Sequence, residues 1–257
     1  MFPVLPVGFL SDSGPPHPLP GPDLANIGVW WESDRGVTLD GAYIVQINDR
    51  SGNGYDWAQP HAQHSSFCPT IAAGGGKGGK DSAYFAGSQQ FLQGAVGWDA
   101  TGLAGGMEMF LVVKGDIAPT ADTNFGPFDF ANDLGGRGCW DYMNGNAYQS
   151  FGIGARYDWA EPSCESWVVL NMSLDPGLEP NKWNLRAWTN GTSRLSLSNV
   201  GATQSWHASR AFCVGRSFSG SPLYFKGHLP GLITYTAPCS DLARAKTLAY
   251  LMDRWVP

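Results

Sequence analysis

Hydrolysing a glycoside takes two carboxylates facing one groove, a need that a single strand can meet with a spacing of the E-x-D-x-x-E type. No such cluster occurs in this sequence. The nearest match, Glu32-Ser33-Asp34, lacks a second Glu and precedes the core strands, so it reads as solvated turn charge. The five histidines, His17, His61, His64, His207 and His228, fall in loop-like or strand-edge contexts without a G-x-S-x-G elbow, which argues against a Ser-His-Asp device. His61 and His64 sit three apart with Asp56 nearby, but a loop lacks the fixed geometry of H-E-x-x-H on a helix, and no metal site is expected there. Asp129, Asn132 and Asp133 could ligate calcium, yet ordinary polar turns account for them. The run Gly74 to Lys80 has no Gly-Lys-Ser/Thr opening a helix and no surrounding βαβ unit, so it reads as a flexible surface loop and not a phosphate cradle. No catalytic residue and no cofactor is expected.

Binding a sugar asks for something different: exposed aromatic faces for stacking, flanked by amides and carboxylates that meet hydroxyls. The segment Cys139 to Asn146 has that composition at an expected strand end, which makes Trp140, Asp141, Tyr142 and Asn144 candidate glycan contacts. Trp57, Trp98 and Trp159, beside Asp56, Asp99 and Asp158, are secondary candidates, and Trp159 completes the glycan set. Against all of these stands the commoner use of Trp in a sandwich, which is core packing.

The elements that must carry these side chains read as short strands. A chain of 257 residues, 43% hydrophobic and 15% charged, can bury one large core. Its 34 Gly and 18 Pro mark many turns, and 11 Trp, 9 Tyr and 13 Phe suit pleated surfaces. Strands are expected at Tyr43 to Ile47, Ala83 to Phe85, Glu108 to Lys114, Ser150 to Tyr157, Trp167 to Met172 and Trp183 to Trp188. The last of these runs into Asn190-Gly191, a strong hairpin signal, after which Leu195 and Leu197 alternate with serines. Further strands fall at Phe212 to Gly215, Leu223 to Lys226 and Gly231 to Thr236, and two packed antiparallel sheets hold this number better than one open sheet. The one persuasive helix is C-terminal: Ser240 can cap it, Asp241 suits its N-terminal dipole, and Leu242, Ala245, Leu248, Ala249 and Met252 form a stripe expected to face the sandwich.

Residues 1–24 are set apart by Pro3, Pro6, Pro15, Pro16, Pro18, Pro20 and Pro22, a density that blocks helix and ladder alike. The apolar start, with Phe2, Val4, Leu5, Phe9 and Leu10, is odd for a solvated tail; it suits an arm that anchors to a partner chain, or one that packs on its own sandwich. The division is therefore an arm over 1–24 and a sandwich over 25–257. A net charge of -6 with 16 Lys and Arg argues against nucleic acid. No apolar run approaches the ~20 residues needed to span a bilayer. Met1 to Leu10 lacks a basic n-region and a small-residue cleavage site, so folding in the cytoplasm of the producing cell is expected. Cys68, Cys139, Cys164, Cys213 and Cys239 are odd in number, widely spaced and without a C-x-x-C pair, hence expected as free thiols. The sequons at Asn171 and Asn190 read as chance.

Three segments in order, Asp34-Arg35-Gly36-Val37-Thr38-Leu39, Ile47 to Gly54 and Ala83-Tyr84-Phe85-Ala86-Gly87-Ser88, resemble the opening of the laminin-G-like, concanavalin A-like jelly-roll family. The stretch Phe225 to Tyr235 followed by the helix resembles the family's close, and one departure is that its usual acidic residue in the last strand is replaced around Gly231-Leu232. The resemblance implies an all-β, two-sheet antiparallel jelly-roll sandwich with a short C-terminal helix, serving as a lectin-like or adhesive module. Such domains are common in virion proteins of tailed bacteriophages. With the Pro-rich arm and free cysteines, this implies a non-enzymatic virion protein assembled in the host cytoplasm, either a capsid decoration or a tail-attached adhesin. Its expected partners are other virion proteins, met through the arm, copies of itself, and host-surface glycans, with no nucleic acid and no membrane insertion. The alternatives are a polysaccharide-degrading glycosidase and a secreted bacterial carbohydrate-binding adhesin.

Overall fold

The computed structural model describes residues 22, 24–60, 65–94, 105–116, 125–129, 139–143, 147–150, 158–161, 165–179, 182–201, 213–217 and 223–257; at 65, 125–127, 129, 139–143, 147–150, 158–161, 201, 217 and 223 the description is of backbone only. The arm residues Phe2, Val4, Leu5, Phe9 and Leu10 and the alternating run 151–157 lie outside it. In chain order the strands are β1 (Ile27–Glu32), β2 (Val37–Asp40), β3 (Tyr43–Ile47), β4 (Trp57–Ala58), β5 (Thr70–Ala72), β6 (Ser82–Ala86), β7 (Leu92–Gly94), β8 (Met107–Gly115), β9 (Phe125–Asp129), β10 (Cys139–Met143), β11 (Ala147–Ser150), β12 (Asp158–Glu161), β13 (Val168–Pro176), β14 (Lys182–Thr189), β15 (Thr192–Gly201), β16 (Cys213–Val214), β17 (Arg216–Ser217), β18 (Leu223–Tyr224) and β19 (Lys226–Tyr235). The helix α1 spans Asp241–Trp255.

All these strands pair antiparallel. One layer runs β15, β14, β13, β8, β19, and the long β19 then takes two partners in succession on its far edge: β6 along Lys226 to Leu229, and β1 along Gly231 to Tyr235. The other layer runs β4, β7, β16, β9, β10, β11, β12. Strand β3 joins the two at a corner, pairing β4 through Gln46 and Ile47 and β5 through Tyr43. The expected hairpin at Asn190-Gly191 connects β14 to β15, with both residues at positive φ as the tight turn demands.

Period-two alternation sorts side chains between two cores. On β8, Met107, Met109, Leu111 and Val113 face the inter-sheet core with Trp31, Trp57, Phe85 and Phe128, while Phe110 and Val112 face outward beneath α1 with Ile233, Tyr235, Leu251 and Trp255. The all-β sandwich read from the sequence is the observed architecture.

The helix begins where expected, with the Ser240 hydroxyl accepting from Ala243 N at 3.2 Å. Its buried face is only partly the expected one, since Leu248 and Met252 pack against the core but the rest of the stripe does not. Thr247, Tyr250, Leu251, Arg254 and Trp255 are buried, whereas Leu242 is 66% exposed and Ala245 and Ala249 also face solvent. Aromatic rings bury more apolar area than alanines, and two arginines turn inward because carboxylates wait for them, which a stripe of aliphatic residues alone could not reveal.

Glu32 corrects a second expectation. It is not solvated turn charge but the fully buried end of β1, placed directly across the ladder from Gly231. Tyr250 OH donates to Glu32 Oε1 at 2.6 Å, Arg50 pairs with Oε2, and Arg254 Nε forms an ion pair with Oε1 at 2.5 Å. Arg254 also holds Asp34 through Nη2 at 2.7 and 2.9 Å. Near the other end of the helix, Arg244 grips the buried Glu108 with Nε and Nη2 at 2.6 and 2.9 Å. The helix is therefore tied to the sheet by two buried Arg–Glu pairs.

The Asp49 to Gly54 turn is likewise a built joint. Asp49 accepts from the backbone N–H groups of Trp30, Ser51 and Tyr55, and Asn53 donates to the carbonyls of Ile27 and Gly28. Asp56 spends its carboxylate on Asp49 N and Gln46, which leaves it a structural acceptor; His61 and His64 lie outside the described residues. Cys68 and Cys213 are buried and Cys239 half-buried, all without disulfides, as expected; Cys139 and Cys164 have no described side chains.

Candidate functional site

The glycan candidates divide sharply. Trp57 is fully buried against Trp31 and Phe128 with ring centroids 6.4 and 6.5 Å apart, so it cannot stack on a sugar. Trp98, Asp99 and Asn144 lie outside the described residues, as do the calcium candidates Asn132 and Asp133; Asp129 is placed on β9. Trp140, Asp141 and Tyr142 lie on β10 and Trp159 on β12, where register can be read although side chains are not described. Tyr142, Gln149 and Trp159 occupy opposed positions of three neighbouring strands, and Asp141, Ser150 and Asp158 occupy the next row. Consecutive residues of a strand belong to opposite faces. Asp158 and Trp159 thus occupy successive register positions of β12.

A different set of residues is brought together on the outer face of the first layer. Tyr84 on β6, His228 on β19 and Lys114 on β8 are direct register partners, making one lateral row across three strands. The Tyr84 and His228 rings lie 5.1 Å apart, and Trp167, just before β13, extends the row with its ring 5.7 Å from His228 and the Lys114 ammonium 5.8 Å above it. Asp116, past the end of β8, accepts from Tyr84 OH at 2.7 Å and stands 3.8 Å from His228 Nε2. Close approach of β19 to β8 depends on Gly227: at φ +145° with a Cβ that would meet Lys114 O at 2.2 Å, no other residue fits there.

The loop expected to be flexible forms one wall. Gly76 N donates to Lys80 O at 2.7 Å, and Lys77–Gly79 makes a 3-10 turn. A Cβ at Gly75 would come within 2.4 Å of Ser82 Oγ and 3.2 Å of His228, and one at Gly76 within 2.8 Å of Trp255. Close backbone packing explains Gly75 and Gly76, and positive φ explains Gly74, Gly78 and Gly79.

Burial pushes the His228 imidazole below its usual range, opposed by Asp116 and helped by Lys114, so the ring is neutral at pH 7. Burial, then the bond to Asp116 and its charge, push the Tyr84 phenol up to about 12 and keep it a donor. Ser82 Oγ lies 2.8 Å from His228 Nδ1, giving Ser, His and Asp in one cluster. Nucleophilic chemistry does not follow, because Ser82 is fully buried beneath Gly75 and the Asp116 separation exceeds a hydrogen bond. What remains is a mostly buried aromatic row, with Tyr84 partly exposed, beside a carboxylate and an ammonium.

Because the depressed His228 binds its proton less readily folded than unfolded, its contribution to stability is present above about pH 6.5 and is lost as pH falls below that value. The thermal midpoint of the wild-type chain should therefore drop more between pH 7.5 and 5 than that of His228→Gln; equal drops would show that His228 protonates freely.

Sequence reasoning missed this row although Tyr84 and His228 stand in quoted motifs, since partners 144 residues apart are revealed only by strand register. No family profile matches the chain, and no curated protein does. Its fold resembles that of several solved structures. Domain 4 of AbnA, a GH43 extracellular arabinanase from Geobacillus stearothermophilus solved in complex with arabinotriose, aligns with a TM-score of 0.58 at 20% identity, over 87% of this chain and 98% of that one. Trypanosoma rangeli sialidase in complex with sialic acid aligns at 0.60 and 10% identity over 98% of this chain but 35% of its own. The binding domain of Botulinum neurotoxin DC, in complex with rat synaptotagmin II, aligns at 0.60 and 5% identity over 88% of this chain and 51% of its own. The chain thus spans about a third of the sialidase and half of the toxin chain. These likenesses show a shared antiparallel β-sandwich fold.

Proposed function

We propose that this chain is a non-catalytic glycan-binding module. The observation that carries the reading is the row Tyr84, His228, Lys114 with Asp116 at its rim: an aromatic shelf beside one acceptor and one donor group is what a pyranose, with apolar faces and hydroxyl edges, requires. The domain solved with arabinotriose shares the fold over nearly its whole length, which supports a sugar ligand through fold alone. Hydrolysis finds less support. Among the described residues the deeply buried carboxylates, Glu32 and Glu108, are each bound by arginine beneath α1, where no substrate reaches.

Truncating Tyr84 to alanine removes the stacking face, and about tenfold weaker binding is expected from the ~1.5 kcal/mol of aromatic burial lost. Glycan-array screening followed by calorimetry on the best ligand checks this. Unaltered affinity would move the site elsewhere, with the β10–β12 row next in line; release of reducing ends from the glycan would replace the binding reading with a hydrolase.

In its finer form the proposal is a laminin-G-like module on a bacteriophage particle, as capsid decoration or tail-attached adhesin, homo-oligomeric and fixed by residues 1–24. It rests on the motif order, the proline-rich apolar arm and the free cysteines, with many copies turning weak sugar contacts into lasting attachment. Deleting Met1 to Pro22 is expected to leave a folded domain absent from purified particles. Normal incorporation of the truncated chain would refute the arm.

A further inference from the structure

We infer that the outer-face shelf selects acidic glycans, taking a sugar that carries one negative charge between Lys114 and His228; this rests on the glycan-binding reading above. The selective element is Lys114. Its side chain emerges from the middle of the row, half-buried, with the ammonium held 5.8 Å above the Trp167 ring. Among the described residues no carboxylate lies within ion-pair distance of it, although Asp116 is only two positions along the chain. Asp116 is turned instead to Tyr84, whose hydroxyl it holds at 2.7 Å. Among the described residues the ammonium is thus left without a counter-charge beside an aromatic ring, in a protein with six more acidic than basic residues.

His228 supplies the second contact. Ser82 is fully buried and its hydroxyl meets Nδ1 at 2.8 Å; with that hydroxyl donating, Nε2 carries the ring proton and points toward the rim occupied by Asp116. A second lysine, Lys226, stands two positions before His228 and so on the same face of β19. An anionic substituent would meet one full cation and one neutral donor, with Asp116 confining it to the Lys114 side. A singly charged group suits this arrangement, since the Asp116 carboxylate would repel a dianion. A uronate or other sugar carboxylate and a sulfate ester share that chemistry.

The test pairs an oligouronide with its carboxyl-reduced neutral counterpart and with a sulfated form of that counterpart, titrated calorimetrically against the full chain at low salt. The acidic forms are expected to bind about tenfold more tightly than the neutral one, with the advantage shrinking as salt is added. In Lys114→Gln the acid-to-neutral ratio should fall to near one, and in Lys114→Arg it should return. Which acidic form binds better identifies the natural substituent. A ratio near one in the wild type, or one unmoved by Lys114→Gln in a variant whose thermal midpoint is intact, overturns the inference. If neutral sugar is bound through Tyr84 and the charge adds nothing, only the acidic preference falls; if none of the three glycans binds, the glycan-binding reading falls with it.

Discussion

Replacing Glu32 with alanine is expected to cost about 3–5 kcal/mol, the loss typical of removing one partner from a buried ion pair. The carboxylate is fully buried and answers three groups at once: Arg50, Arg254 and the hydroxyl of Tyr250. Without it, Arg254 keeps only Asp34, and the Tyr250 hydroxyl loses its acceptor. Both sit in the last turns of α1, so the helix end should loosen from the sheet before the sandwich opens. Urea denaturation measures the cost, and near-UV circular dichroism reports Trp255 leaving its packed site. Substituting Glu32 and Arg254 together by methionine should recover part of the loss, because a hydrophobic replacement of both partners avoids an orphaned charge. A destabilisation below about 1 kcal/mol for the single variant would return Glu32 to the solvated surface.

Trp57→Ala should be comparably severe. The ring is fully buried between the two layers, against Trp31 and Phe128, and Gly94 exists to make room for it, since a Cβ there would lie 3.0 Å from the indole. Large-to-small truncation of a core aromatic costs about 3–5 kcal/mol, which for a chain of this size lowers the thermal midpoint by on the order of 10 °C. Calorimetric unfolding checks it. The outcome also separates two roles assigned to tryptophan: an unchanged midpoint with sugar affinity lost would mean that Trp57 faces a ligand and not the core.

Much of the architecture was legible in the chain because it is written in local spacing. Short apolar stretches at Tyr43 to Ile47 and Glu108 to Lys114 predicted strands that the structure places at Tyr43–Ile47 and Met107–Gly115, and Asn190-Gly191 predicted its own hairpin. Ser240 announced the helix start. The helix face was partly misread because aliphatic periodicity was counted while Tyr250, Arg254 and Trp255, which carry the docking, were not. Glu32 was misread for a related reason: charge is assumed to face water unless a partner is known, and its partner Arg254 lies 222 residues further on.

The sequence by itself determined what depends on neighbours along the chain: an all-β sandwich, the Asn190-Gly191 hairpin and the C-terminal helix. Tertiary structure alone decided which aromatics are core and which are surface, where the buried charges find their counter-charges, and that Tyr84, Lys114 and His228 form one row. The reason is geometric. Spacing within a strand fixes which face a side chain occupies, but which strands lie beside one another, and in what register, is set by pairings between distant segments. A binding surface built across strands is invisible until those pairings are made.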